Sequence, residues 1–197
     1  MNGWTLGGVV ALGVFHGINP AMGWLFAVAI GLQEGSRRAV LRALPPIAVG
    51  HAAAVALALL VVTEAQAFVS EWTLRLVGFG ALAVFAWWRF VRPHAHVRWS
   101  RIRLSRRELA AWSFLVSSAH GAGLMLFPLA LSAHAHASTA TQLVLVHTVA
   151  MIAVAALAAV VVYEVVGVGI LRRGWINLDR VWAYALGAGA AVTLFIG

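Results

Sequence analysis

The chain has 197 residues, 62% of them hydrophobic and only 10% charged, with a formal net charge of +8 and no cysteine. That composition belongs to a membrane protein, and it excludes disulfides, thiolate-held metals and thiol redox chemistry. The positive charge does not point to nucleic acid, because the basic residues flank apolar runs, where arginine sets membrane topology.

Six apolar stretches of crossing length follow one another, at roughly 4–32, 43–63, 70–90, 109–132, 141–166 and 178–196. The expected fold is an all-α integral membrane protein of six transmembrane helices. The first stretch begins close to Met1 and no small-residue cleavage site follows a short apolar core, so no separate signal peptide is expected. The links Gln33–Arg42, Arg92–Arg107 and Arg172–Gly174, with their flanks, hold every arginine but Arg75. By the positive-inside rule all three links face the cytoplasm, which places a multi-pass chain in the inner (plasma) membrane with both termini outside.

The first stretch has a polar centre, Gly13-Val-Phe-His16-Gly17-Ile18-Asn19-Pro20-Ala21-Met22-Gly23. Unpaired polar groups cost several kcal/mol in hydrocarbon, roughly, so groups at that depth face protein, water or an ion. Pro20 removes a backbone donor and frees a carbonyl near His16. The segment reads as a broken helix that displays ligands at mid-membrane. The second stretch opens at Pro45-Pro46, where missing donors matter least, and carries Gly50-His51-Ala52.

The order then repeats. His16-Gly17 is matched by His120-Gly121 in the fourth stretch, His51 by His147 in the fifth, and the Arg75-led third stretch by the Arg180-led sixth. With three spans per half, the second half enters from the opposite side, giving two inverted-topology three-helix repeats with a site at their interface. The expected division is 1–92 for the first repeat, 93–108 for a basic cytoplasmic linker and 109–197 for the second. At a rise of about 1.5 Å per residue, His16 lies about 18 Å deep, His120 similarly deep from the other face, and His51 and His147 about 9–12 Å in. Gly13-x-x-x-Gly17, Gly78-x-Gly80 and Gly187-x-Gly189 invite close helix approach. Trp24, Trp87, Trp88, Trp112 and Trp182 suit interfacial anchors or core positions.

Four buried imidazoles converging on one plane can bind a transition metal: nickel, cobalt, copper or zinc. Asn19 can add an oxygen, and Met22 and Met125 thioethers that favour softer ions. Met22 lies about 120° from His16 on an unbroken helix, so the break must re-aim it to share the site. Plainer readings stand beside these: histidines as hydrogen-bonded packing residues, methionines as gap fillers, Asn19 as a cap for a helix restarting at Pro20. His94-Ala-His96 and His134-Ala-His136 are either weak metal-collecting pairs or solvated loop residues. Glu164 relays a proton, helps release a cation, or pairs with Arg172 or Arg173.

The residues from Leu12 to Met22 resemble the first-span signature of the nickel/cobalt exporter family, within the lysine-exporter superfamily of permeases. That signature is a His-Gly pair, an acid before proline, and a second histidine. Gly50-His51-Ala52 and Val146-His147-Thr148 resemble the family's Ser-His-Thr segment. The resemblance implies six or seven spans, inverted repeats, and divalent-metal efflux coupled to an ion gradient. It puts His16 on the first ligand, Asn19 on the acid, Met22 on the second histidine and His51 on the second-span histidine. Replacing acid and histidine by Asn19 and Met22 removes a negative charge and adds a softer atom.

The expected function is a membrane permease, favoured over an enzyme without deciding that question, that exports a transition-metal cation through His16, His51, His120 and His147, with Asn19 and Met22 assisting and Met125 and Glu164 auxiliary. The partners are then the lipid bilayer and the cation, without nucleic acid; self-association as a homo-oligomer stays open. The alternatives are a metal- or haem-binding membrane enzyme or electron carrier, a proton-coupled exporter of a small solute, and a structural subunit. The carboxylates of di-iron bundles are lacking.

Overall fold

The computed structural model describes residues 3–91, 104–132 and 137–166, together with Tyr184, Gly187, Ala188, Ala190 and Ala191. Regular structure among the described residues is helical throughout. α1 (Gly3–Ile18) leads through a 3₁₀ turn, Pro20–Met22, into α2 (Trp24–Glu34), then α3 (Arg37–Ala65) and α4 (Glu71–Val91). α5 (Arg106–Ala119) leads through a second 3₁₀ turn, Leu124–Leu126, into α6 (Phe127–Ser132), then α7 (Ala137–Val161), which ends in a π-helical turn, Val162–Val166. The order helix, 3₁₀ turn, helix, long histidine-bearing helix thus occurs twice.

Both breaks have local causes. Asn19 is extended (φ −70°, ψ 119°) and its side-chain oxygen accepts a hydrogen bond from the Ala21 amide at 2.8 Å. It caps the turn that Pro20 opens, where the missing donor costs least. Gly23, at φ 112°, then re-aims the chain into α2 in a left-handed conformation that a side chain would strain. In the second half α5 ends at His120, and Gly121 takes φ 69° to start the turn.

These breaks change the count of crossing helices. Among the described residues, α3 and α7 are long and apolar enough to span a membrane, and a third span exists if α5 and the Leu124–Leu131 helix, bent by 53°, count as one. α1 and α2 are each shorter than a span. The apolar run at 4–32 is continuous in composition, but Asn19-Pro20 and Gly23 divide its backbone. α4, with 21 residues, is not among the crossing helices found in the described residues. The sixth stretch lies largely outside the described residues, as do residues 92–103 of the expected linker.

Two boundaries differ from expectation. α3 begins at Arg37, so Pro45 and Pro46 lie inside the helix rather than at its start. The carbonyls they leave without partners belong to Leu41 and Arg42, both exposed, and solvent or headgroups can satisfy them. α5 starts at Arg106 because Ser105 and Glu108 form a capping box: the Ser105 amide donates to the Glu108 carboxylate at 2.7 Å, and the Glu108 amide to the Ser105 hydroxyl at 3.3 Å.

The broadest packing pairs α1 with α7 and α3 with α5, while α2 and α7 also lie on α3. Glycine sets both principal contacts. A Cβ on Gly13 would sit 2.6 Å from the His147 carbonyl oxygen and 2.7 Å from the Ala150 Cβ; Gly17 faces the Met151 carbonyl in the same way, and Gly50 the Ala110 carbonyl. Without a hydrophobic force between helices in lipid, such backbone approach is what van der Waals packing requires. Gly78 lies under the Phe127 ring, whereas Gly80 and Gly187 have nothing within 4 Å among the described residues. Trp24 is core: it is buried and its indole N–H donates to the Ile18 carbonyl at 3.2 Å. Trp112 packs edge-on to Phe26, Trp87 and Trp88 are exposed, and Trp182 lies outside the described residues. Val49, Leu57 and Leu60 on α3 and Leu145, Val149 and Leu157 on α7 point outward. Along the middle of both long helices the exposed side chains are apolar while His51 and His147 are buried, an arrangement compatible with a bilayer.

Candidate metal centre

Three of the four anticipated histidines meet. His16 comes from the last turn of α1, His51 from the middle of α3 and His147 from α7. All three are fully buried, at 0% exposure. Their ring centroids are 4.9 Å (His16–His147), 5.3 Å (His51–His147) and 5.6 Å (His16–His51) apart. Gly13 and Gly17 allow it on one side, bringing α1 onto the α7 backbone beside His147, and Gly50 on the other, bringing α3 onto α5 beside His51.

The hydrogen bonds orient the rings. His16 Nδ1 lies 2.8 Å from the Leu12 carbonyl, and His120 Nδ1 lies 2.8 Å from the Val116 carbonyl, each four residues back. A carbonyl only accepts, so in both rings Nδ1 carries the proton and Nε2 the lone pair. The two bonds are the same local device at the end of α1 and of α5. His51 Nδ1 lies 2.9 Å from the Ser117 hydroxyl, and its Nε2 has no hydrogen-bond partner among the described residues. His147 has the Val9 backbone beside it, but neither of its ring nitrogens forms a well-aligned hydrogen bond.

His120 is set apart from this triangle. It is half-buried, at the cap position that ends α5 and close to His16. Met22 and Met125 are both buried, each in one of the two 3₁₀ turns, and belong to one apolar cluster with Leu82, which Leu12 and Phe15 flank. That placement is the one a gap-filling methionine would have, and it also puts two thioethers beside the helix that bears His16. The Asn19 side-chain oxygen is engaged in its cap. Glu164, in the π-helical turn, pairs with Arg37 at 3.0 Å, both half-exposed. The pairs His94/His96 and His134/His136, and Arg172 and Arg173, lie outside the described residues.

Among the described residues no three His, Asp or Glu side chains already have their donor atoms set around one point to hold an ion. The ring spacing is nonetheless that of a shared ligand set: with metal–nitrogen bonds of about 2.0–2.1 Å, three imidazoles on a tetrahedral ion have centroids about 5 Å apart. His51 and His147 stand nearly parallel, 17° between planes.

Sequence reading missed Ser113 and Ser117. Both are buried; Ser117 bonds the His51 ring, and the Ser113 hydroxyl donates to the Ile47 carbonyl at 2.7 Å, one turn before His51. The available signal was two hydroxyls four apart on one face of an apolar helix, three and seven residues before His120. A cleft of about 780 Å³ also opens between the end of α3 and the start of α7, lined in part by Thr63, Glu64, Gln66 and Thr141. These are the two helices that carry His51 and His147.

Compared with protein-family models, curated proteins and solved structures, the chain matches none.

Proposed function

We propose that the protein is a membrane permease for a transition-metal cation, of the nickel/cobalt exporter type, with His16, His51 and His147 as its central site. What carries the reading is the meeting of three fully buried imidazoles from three helices. Ionisable groups inside an apolar helical bundle are rare, and they mark ion or substrate paths by default. Neutral imidazole is a ligand for Zn, Cu, Ni and Co alike. His120 extends the path rather than completing the triangle, and Met22 and Met125 favour a softer ion if they join it.

The path we assign runs between α3 and α7. Its outer mouth is the cleft with Glu64, and the opposite end is closed by the Arg37–Glu164 pair. The recurring order of elements, and the exchange by which α1 packs on α7 and α3 on α5, support a six-span inverted repeat, one repeat rocking against the other about the histidines. The arginine-rich links make the Arg37 side cytoplasmic, and the direction follows the family likeness: export.

The test is metal content. Protein purified in detergent from cells grown with Ni, Co, Cu and Zn is analysed by mass spectrometry, as wild type and with His16, His51 or His147 changed to Ala. One bound ion per chain, lost in each variant, is the expected result. A wild type without stoichiometric metal, and variants that leave cellular metal content unchanged, would sink the proposal.

A further inference from the structure

The geometry points to Ser117 as a positioning residue, holding His51 in the tautomer whose Nε2 carries the lone pair, within a ring triangle shared with His16 and His147. Its functional consequence rests on the metal-permease reading; its structural content does not.

The Ser117 hydroxyl is 2.9 Å from His51 Nδ1, with Ser117 at 1% exposure. A hydroxyl can donate or accept, so this bond alone leaves the proton unassigned. The other nitrogen decides. His51 Nε2 is buried with no hydrogen-bond partner among the described residues. A proton there would be a buried donor with nothing to receive it, and orphaned buried N–H groups are rarer than under-used acceptors. On Nδ1 the same proton is received by Ser117. His51 then presents the same basic nitrogen that the Leu12 carbonyl imposes on His16.

The support is rigid. One turn earlier on α5, Ser113 ties the Ile47 carbonyl of α3, and Gly50 lets the two backbones touch. The two serines therefore fix both the turn that carries His51 and the ring itself. Such outer partners set ligand orientation and basicity, and removing one typically lowers metal affinity about 10–100-fold. No hydroxyl does this for His147.

Two readouts on the full-length protein in detergent test the assignment. Nitrogen-15 NMR of the histidine side chains, without metal, shows which His51 nitrogen bears the proton. Zn²⁺ titration gives affinity. We expect Nδ1–H in the wild type, a shift of the population toward Nε2–H in Ser117→Ala, a roughly 10–100-fold loss of Zn²⁺ affinity in that variant, and recovery of both in Ser117→Thr. Ser113→Ala, which removes a bond to backbone only, should leave the tautomer unchanged. An Nε2–H wild type, or an Ala variant with unaltered tautomer, overturns the assignment. If the wild type takes up no metal, the permease reading fails, and the NMR result still decides the role of Ser117.

Discussion

At the scale of single residues, Asn19 is a cap. Its oxygen caps the 3₁₀ turn at Pro20, so Asn19→Asp or Ser should keep the fold while Asn19→Ala should lower stability by about 1 kcal/mol, read as a thermal midpoint in detergent. The histidines behave differently. Replacing His51 or His147 by Ala should cut metal affinity by more than about 100-fold, beyond the roughly 10–100-fold of an outer partner, and titration of each purified variant measures it. The likeness of His16 to His120 and of His51 to His147 was legible from spacing alone, because both pairs follow the same rank in the chain. The failure of His120 to join the ring triangle was not. It depends on where α5 stops, and Gly121 stops it directly after the histidine.

At the scale of elements, glycine in α1 and α3 decides how closely helices approach. Gly13→Ala and Gly50→Ala each push a methyl into a neighbouring backbone carbonyl, and overpacking of this kind should destabilise by about 1–3 kcal/mol. Gly80→Ala, with nothing within 4 Å, should be neutral in the same unfolding assay. The Gly13-x-x-x-Gly17 approach was readable in the sequence; the identity of its partner was not, because α7 lies some 130 residues further on. The same distance hid the partner of Glu164. Among the described residues its ion pair is with Arg37 at the start of α3, while Arg172 and Arg173 lie outside them. Pro45 and Pro46 misled for a related reason: proline marks a helix start only where no earlier turn can form, and exposed carbonyls at Leu41 and Arg42 let α3 begin at Arg37.

At the scale of the whole molecule, two or three long apolar helices are compatible with a membrane protein, but counting apolar runs overstates continuous helices. The run through Asn19-Pro20 has the composition of a span and the backbone of two helices. The interruption falls directly after His16, whose carbonyl accepts from the Asn19 amide at 3.2 Å. If the cleft at Glu64 is the outer mouth, Glu64→Gln should raise the half-saturating metal concentration for flux in proteoliposomes several-fold and leave the metal held by purified protein unchanged. Removing the Arg37–Glu164 pair should alter stability by less than about 1 kcal/mol, since half-exposed pairs contribute little, and a larger change in the unfolding midpoint would mark it as structural.

The crosswise pairing of α1 with α7 and α3 with α5 has a consequence for biogenesis. When the ribosome has delivered the chain only as far as Val91, neither small-residue seam has its mate, and three imidazoles cannot yet shield one another. The nascent protein must wait, with grooves open, until the later helices arrive. A product stopped there should be cleared by quality-control proteases, and supplying residues 92–197 as a separate polypeptide should rescue it.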